Sequence, residues 1–123
     1  MVCGGLGGVM AAAARGAAQG GGLSLGILPG DDRSEAAPDL TLALASGLGE
    51  LRNALLVRAS DALVAVGGSW GTLSEVALAR RQGLPVVWLA GWSLPDADIA
   101  TAGSPADAVE QLFAALDPPA GSI

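Results

Sequence analysis

The stretch ALVAVGGSWGTLSE, residues 62–75, joins an apolar run to a glycine loop and then to a helical pattern. The run at 62–66 is continuously apolar, which is typical of a strand buried on both faces of a parallel sheet. From Thr72 to Gln82, apolar side chains recur at helical spacing, and the pattern ends before Gly83. The stretch therefore predicts a strand, a tight turn and a helix in succession.

The same alternation extends in both directions along the chain. Strands are predicted at Leu23–Leu28, Leu40–Leu44, Ala62–Val66 and Pro85–Leu89, and helices at Val9–Gln19, Leu48–Ser60, Thr72–Gln82 and Ser104–Leu116. Loops are predicted at Pro29–Pro38 and Gly91–Gly103, and a frayed tail at Asp117–Ile123. Strands that alternate with helices of this length indicate βαβ units, so we expect an α/β fold with a parallel sheet.

The composition excludes several classes of chemistry. The 123 residues suffice for one domain, and they include no His, Lys or Tyr and a single cysteine, Cys3. Ser-His-Asp and Cys-His catalysis, Schiff-base chemistry, a Walker A lysine and a structural zinc site within the chain are therefore excluded. Any chemistry must come from carboxylates, arginines, hydroxyls and backbone amides.

Charge and hydropathy restrict the partners. The formal charge of −6 argues against nucleic acid as a partner. No apolar run reaches the roughly 18 residues of a membrane helix, and no basic segment opens the chain. A lone cysteine fits a reducing compartment. We therefore expect a cytoplasmic protein whose partner is a small molecule, with no nucleic acid and no membrane.

Two glycine loops stand before predicted helices. The first glycine loop, residues 4–8, contains Gly4, Gly5, Gly7 and Gly8; the second, residues 67–72, contains Gly67, Gly68, Ser69, Trp70, Gly71 and Thr72. A strand–glycine–helix junction points free N–H groups and the positive end of the helix dipole at an anion. A lone glycine loop is equally a tight turn, but two at the carboxyl edge of one parallel sheet favour phosphate or nucleotide binding.

Three residues near these loops have two interpretations each. Thr72 and Glu75 form a T-x-x-E capping box, which local sequence favours, or Glu75 is a first-turn carboxylate facing the ligand. Arg52, followed by Asn53, is a solvated helix arginine, or it binds a phosphate or orients Glu75. Trp70 stacks on a base or packs over the site.

Together these segments resemble the LOG-like proteins, also called lysine decarboxylase-like, and most closely their branch of molybdenum-cofactor carrier proteins. The resemblance runs from Val2 to about Leu116. It rests on GGLGGVM at 4–10, RN at 52–53 and GGSWGTLSE at 67–75, in that order. It implies a Rossmann-like doubly wound parallel sheet in a three-layer αβα arrangement.

LOG enzymes cleave the N-glycosidic bond of cytokinin nucleoside 5′-monophosphates, with a motif PGGxGTxxE and an upstream Arg-Lys pair. The resemblance matches Gly67, Gly68, Gly71, Thr72 and Glu75 to the motif and Arg52 to the arginine, which implies catalytic roles for Arg52 and Glu75. Val66 replaces the motif proline and Asn53 replaces the lysine. These departures favour ligand binding over hydrolysis, with Asn53 and both glycine loops as the ligand-binding residues.

The resemblance implies a single LOG-type domain over residues 1–123 that binds a phosphate-bearing ligand, either the molybdenum cofactor or a nucleoside monophosphate. No metal site and no further cofactor are required. The alternatives are a LOG-type phosphoribohydrolase and a non-catalytic oligomerisation domain, and a homodimer or a higher homo-oligomer is expected. Family members begin with a strand and a helix ahead of GGxGG, so we expect an N-terminally truncated domain that lacks them.

Overall fold

The computed structural model describes residues 1–117, and the predicted tail at 118–123 lies outside the described residues. The chain divides into two compact units, Met1–Ala59 and the part that begins at Ser60. Each unit contains parallel strands that alternate with helices. The predicted α/β fold of Rossmann-like type is thereby confirmed.

The first unit is built on a three-stranded parallel sheet. Its elements are β1 (Val2–Cys3), α1 (Val9–Gln19), β2 (Leu25–Leu28), β3 (Leu42–Ala45) and α2 (Arg52–Arg58). Strand β2 is central, pairing Leu25 with Val2 on one side and with Leu42 on the other. The middle strand is the buried one, with Ile27 and Leu28 at most 2% exposed, as expected for a continuous apolar run.

Helix α1 has the predicted bounds, and its end follows from three consecutive glycines. Gly21 has a φ of +74°, a conformation that glycine adopts without strain. The amide of Gly22 then donates to the carbonyl of Ala17 at 2.8 Å, which satisfies one of the last free carbonyls of the helix. Ala14, fully buried, lets the helix pack closely in the unit.

The second unit carries another three-stranded parallel sheet. Its elements are β4 (Leu63–Val66), α3 (Trp70–Arg81), β5 (Val86–Leu89), β6 (Ala100–Ala102) and α4 (Pro105–Leu116). Strand β5 lies between β4 and β6 and contributes the buried Val86, Val87 and Trp88. No helix within residues 1–117 combines the length and hydropathy needed to cross a membrane.

Strands β2 and β3 each begin two residues later than predicted, and three further elements also differ from the prediction. Strand β6 falls inside the predicted loop Gly91–Gly103. Two of its three residues are exposed, so the segment has no apolar run from which a strand could be predicted. The predicted helix Leu48–Ser60 is a short 3₁₀ helix, Gly49–Leu51, followed by α2. Gly49, with a φ of +58°, keeps the start of this segment out of the α conformation. Helix α3 begins two residues before the predicted Thr72.

Candidate functional site

The first glycine loop leaves β1 at its carboxyl end and opens α1. Gly8 is the N-cap, with a φ of +64°, and no side chain caps the helix. Gly7 and Gly8 are exposed, and a Cβ added to either would meet no atom within 4 Å. The first amides of α1 therefore have no side-chain acceptor, and the space in front of them is open to an anion.

The other half of this loop is buried and packs against the sheet. A Cβ on Gly5 would lie 2.7 Å from Cδ2 of Leu28 and 3.2 Å from Cα of Gly26. Gly5 also has a φ of +78°, and its carbonyl accepts a hydrogen bond from the amide of Ala37 at 2.8 Å. The geometry thus gives Gly5 a packing role in the turn.

Arg52 lies on Gly4. A Cβ added to Gly4 would collide with the Arg52 guanidinium, 2.9 Å from its Cζ, and with Sδ of Met10 at 2.6 Å. The half-buried arginine thus reaches from the start of α2 to the carboxyl end of β1. A guanidinium carries five N–H donors, which suit the oxygens of an anion bound beside the loop.

The second glycine loop is fixed to β5 by two hydrogen bonds. The amide of Gly67 donates to the carbonyl of Leu89 at 2.9 Å, and the indole N–H of Trp88 donates to the carbonyl of Gly67 at 2.8 Å. Trp88 is only 2% exposed, so its ring is held by the core. The loop therefore starts from a rigid point at the end of β4.

Ser69 caps α3, so the prediction that Thr72 is the N-cap is wrong. The amide of Thr72 donates to Oγ of Ser69 at 3.1 Å, and the Ser69 hydroxyl donates to Oγ1 of Thr72 at 3.0 Å. Because the cap lies three residues earlier, Glu75 falls in the second turn rather than the first. Local sequence missed this because serine and threonine are both good caps and both precede apolar residues.

Two tryptophans adjoin the second glycine loop. Trp70, the first residue of α3, is 79% exposed. Its ring centroid lies 4.9 Å from that of Trp92, with an interplanar angle of 77°, which is an edge-to-face pair. A Cβ on Gly68 would overlap the indole of Trp92, so this ring lies directly on the loop backbone. Sequence reasoning singled out Trp70 but missed Trp92.

The remaining predicted residues add a carboxylate and an amide. Asn53, on α2, and Glu75, on α3, are both half-buried. The first unit thus brings Gly4 and Arg52 together, and the second unit gathers Gly67, Gly68, Ser69, Trp70 and Thr72. Within residues 1–117, no group of three or more His, Cys, Asp or Glu side chains could hold a metal ion.

The donors of the first loop are backbone amides with one guanidinium beside them, and those of the second loop are backbone amides and hydroxyls. Such groups bind oxyanions, and a guanidinium binds phosphate oxygens in a two-pronged manner. The carboxylate Glu75 could accept a proton or stabilise a positive charge, but it cannot by itself hold an anion. Each loop, taken by itself, thus carries donors of the kind that bind oxyanions.

Comparisons with known proteins agree with the resemblance seen in the sequence. A protein of Archaeoglobus fulgidus without an assigned function is 43% identical over 90 residues, which are 72% of this chain and 58% of that protein. The chain thus spans little more than half the length of this relative.

Two solved structures are similar over most of the chain. The molybdenum cofactor binding protein of Rippkaea orientalis is 34% identical, with a TM-score of 0.85 over 94% of this chain and 76% of that one. The molybdenum cofactor carrier protein of Chlamydomonas reinhardtii is 36% identical, with a TM-score of 0.77 over 92% and 76%. A model of the SLOG cluster4 family matches residues 1–116, and the chain therefore belongs to that family.

Proposed function

We propose that the chain binds the phosphate-bearing pterin of the molybdenum cofactor as cargo and does not turn it over. Two structurally similar proteins are described as binding or carrying this cofactor. The observation that carries the proposal is the position of Arg52 on Gly4, beside the uncapped start of α1. A nucleoside monophosphate presents the same phosphate and is the alternative cargo.

The charge distribution supports a local anion site. The chain has six arginines, no lysine and a formal charge of −6, so its overall field repels anions. Binding must therefore depend on fixed short-range donors. A half-buried guanidinium is less screened by salt than a solvated one.

The second glycine loop offers further donors. Ser69 satisfies the amide of Thr72. The amides of Trp70 and Gly71 precede it in the first turn of α3, where a helix provides no backbone acceptor. We propose that these amides, with the Ser69 and Thr72 hydroxyls, bind polar atoms of the ligand.

The residues fit the phosphate end of the cofactor. At Gly4 a side chain would occupy the space in which the guanidinium lies, so glycine preserves the arginine's position at the loop. Arg52 and the open amides of α1 would hold the phosphate. The cofactor supplies its redox chemistry to other proteins, and the role assigned to this chain is to bind it.

The hydrolase remains a second candidate because Glu75 is half-buried only one turn below the second glycine loop. A carboxylate in that position could stabilise the oxocarbenium-like state of N-glycoside cleavage. The sequence departs from the hydrolase motif in spacing, however. Two residues, Ser69 and Trp70, separate Gly68 from Gly71, whereas PGGxGT has one residue there. Counted from Gly71, Ser69 takes the place of the second motif glycine.

A binding assay with the whole chain tests the carrier function. In calorimetry, a pterin phosphate and AMP should bind, and Arg52→Ala should weaken binding about ten- to a hundredfold, because charge-assisted hydrogen bonds contribute about 1.5–3 kcal/mol. Arg58→Ala is the matched control, since Arg58 ends the same helix and is exposed. Equal losses in both variants would contradict a specific role for Arg52.

A product assay separates the two candidates. The chain is incubated with AMP and with isopentenyladenosine monophosphate, and ribose 5-phosphate is measured. Binding without release supports the carrier. Steady release that Glu75→Gln abolishes supports the hydrolase, because the amide keeps the shape of the side chain but loses its charge.

We also propose that the protein is a homodimer. Helix α4 exposes Val109, Phe113 and Leu116 at 49%, 63% and 41%. These positions are four and three residues apart and lie on one face of the helix. An apolar ridge of this kind is typical of a face that a second chain covers.

A further inference from the structure

Trp70 is exposed beside the second glycine loop, at which polar atoms of the proposed ligand would be held. Trp70 is 79% exposed and meets Trp92 edge to face, so most of its indole surface stays open. Side chains of a helix tilt toward its N-terminus. The ring of the first residue of α3 therefore leans toward the side where the free amides of this helix point.

Trp92 supports this ring from the side. It lies on Gly68, which has no side chain to displace it, and meets Trp70 edge to face at 4.9 Å. Only 38% of Trp92 is exposed. The absence of a Cβ at Gly68 thus lets Trp92 lie against the loop, and the position of Trp92 does not depend on Trp70.

The segment that carries Trp92 is tied to α3. Nη1 of Arg80 donates to the carbonyl of Asp98 at 3.2 Å, and the amide of Ala97 donates to the carbonyl of Leu94 at 3.0 Å. Beside it, Trp88 and Trp92 line one side of a pocket of about 250 Å³. A flat ring that contacts Trp70 and Trp92 would therefore meet a surface that is already ordered.

We propose that Trp70 and Trp92 form an aromatic wall that binds the planar heteroaromatic ring of the ligand whose polar groups are held at the second glycine loop. This inference rests on the proposed function and names the part of the ligand that the amides and hydroxyls of the second glycine loop do not recognise. Trp70 contacts the ring by stacking, and Trp92 is a positioning residue that fixes the angle of Trp70. Pterin and purine rings share the required chemistry, since both are flat and electron-poor.

The test compares ligands with and without a ring on the whole chain. The probes are a pterin phosphate, AMP and ribose 5-phosphate, and the variants are Trp70→Leu, Trp70→Phe and Trp92→Leu. Phe113→Leu is the control, because Phe113 is the other strongly exposed aromatic residue within 1–117. Trp70→Leu should weaken both ring-bearing probes by about fivefold or more, as expected for the loss of one stacked ring.

The ring-free probe distinguishes stacking from a general effect. Ribose 5-phosphate should bind Trp70→Leu within about twofold of its affinity for the unsubstituted chain, since phosphate contacts are unchanged. Trp70→Phe should restore much of the lost affinity. Trp92→Leu should weaken the ring-bearing probes alone, and it should have no further effect in a Trp70→Leu background if it acts through Trp70.

Tryptophan fluorescence gives a second readout on the unsubstituted chain. Ring-bearing probes should quench the exposed pair and leave the buried Trp88 as a residual signal. The ratio of the affinities for pterin phosphate and AMP shows which ring is preferred. A preference for either ring supports the aromatic wall.

Three results would overturn the inference. Unchanged affinity of both ring-bearing probes for Trp70→Leu would refute it and leave the proposed function intact. A change of oligomeric mass in Trp70→Leu with unchanged ring affinity would assign this face to a second copy of the chain. Failure of every probe to bind the unsubstituted chain would reject both the wall and the proposed function.

Discussion

Replacing Gly4 by alanine should displace Arg52 and weaken ligand binding. The new Cβ would stand 2.9 Å from Cζ of Arg52, so the guanidinium must move by at least about 0.5 Å to reach an ordinary contact of 3.4 Å. Sδ of Met10, at 2.6 Å, blocks part of the space around the new methyl group. A shift of this size takes a hydrogen bond of about 2.9 Å beyond its usual range.

The expected loss follows from the bonds that the guanidinium makes to phosphate. Charge-assisted hydrogen bonds are worth about 1.5–3 kcal/mol, so affinity for a pterin phosphate or AMP should fall about ten- to a hundredfold. The free energy of unfolding should change little, because the new methyl group meets only the ends of two flexible side chains, which can move aside. Calorimetry measures the first quantity and urea denaturation the second.

Gly16→Ala is the control, because Gly16 lies in α1 and away from the loop. Gly16 and Gly4 both lack a positive φ, but Gly16 is exposed and a Cβ on it meets no atom within 4 Å. Affinity should therefore stay near that of the unsubstituted chain. In an Arg52→Ala background, Gly4→Ala should have little further effect on affinity. If folded Gly4→Ala bound as tightly as Gly16→Ala, the assignment of Arg52 to the ligand would be refuted.

Three other outcomes are expected from single residues. Ser69→Ala should lower the free energy of unfolding by about 1 kcal/mol in urea titration, since Ser69 caps α3. Ser69→Asp should retain most of this stability, because aspartate is also a good N-cap. Equal losses in the two variants would contradict the capping role of Ser69. Asp32 accepts hydrogen bonds from the backbone amide and the side chain of Ser34, and these bonds lower the pKa of Asp32 in the folded protein. The ionised carboxylate therefore stabilises the fold at pH values above the pKa that Asp32 has in the unfolded chain. This stabilisation is lost as the pH falls through the lower pKa of the folded state. An NMR titration should show this, and Ser34→Ala should raise the pKa of Asp32 only in part, because the backbone bond remains. Phe113→Glu should convert the proposed dimer to a monomer in light scattering, and an unchanged mass would place the interface elsewhere.

The elements that could be predicted are those with a strong local pattern. Strands β2, β4 and β5 are continuous apolar runs, and α1 ends in three glycines, so periodicity and turn chemistry located them without tertiary information. Strand β6 owes its existence to backbone pairing with β5. A three-residue Ala-Thr-Ala segment has no pattern of its own and becomes a strand only when its neighbour is present.

The candidate site was predictable in its backbone and less so in its side chains. Two strand–glycine–helix junctions are local features, whereas the contact of Arg52 with Gly4 joins residues 48 positions apart. In the helix pattern alone, Arg52 is equally well a solvated residue. Trp92 lay in a segment predicted as a loop, and nothing in its neighbours indicated that Gly68 would be beneath it.

A large side chain lies directly on a glycine at several places in the described residues, among them Arg52 on Gly4, Trp92 on Gly68 and Trp88 on Gly91. In each pair, neither residue can change alone without either a collision or an unfilled gap. Natural selection should therefore act on the two positions jointly, so that relatives in which Gly4 is replaced should also have lost the arginine. A family alignment sorted by these pairs would separate members that keep a ligand site from those that have abandoned it, and anyone transplanting the site into another scaffold would have to move both partners of each pair.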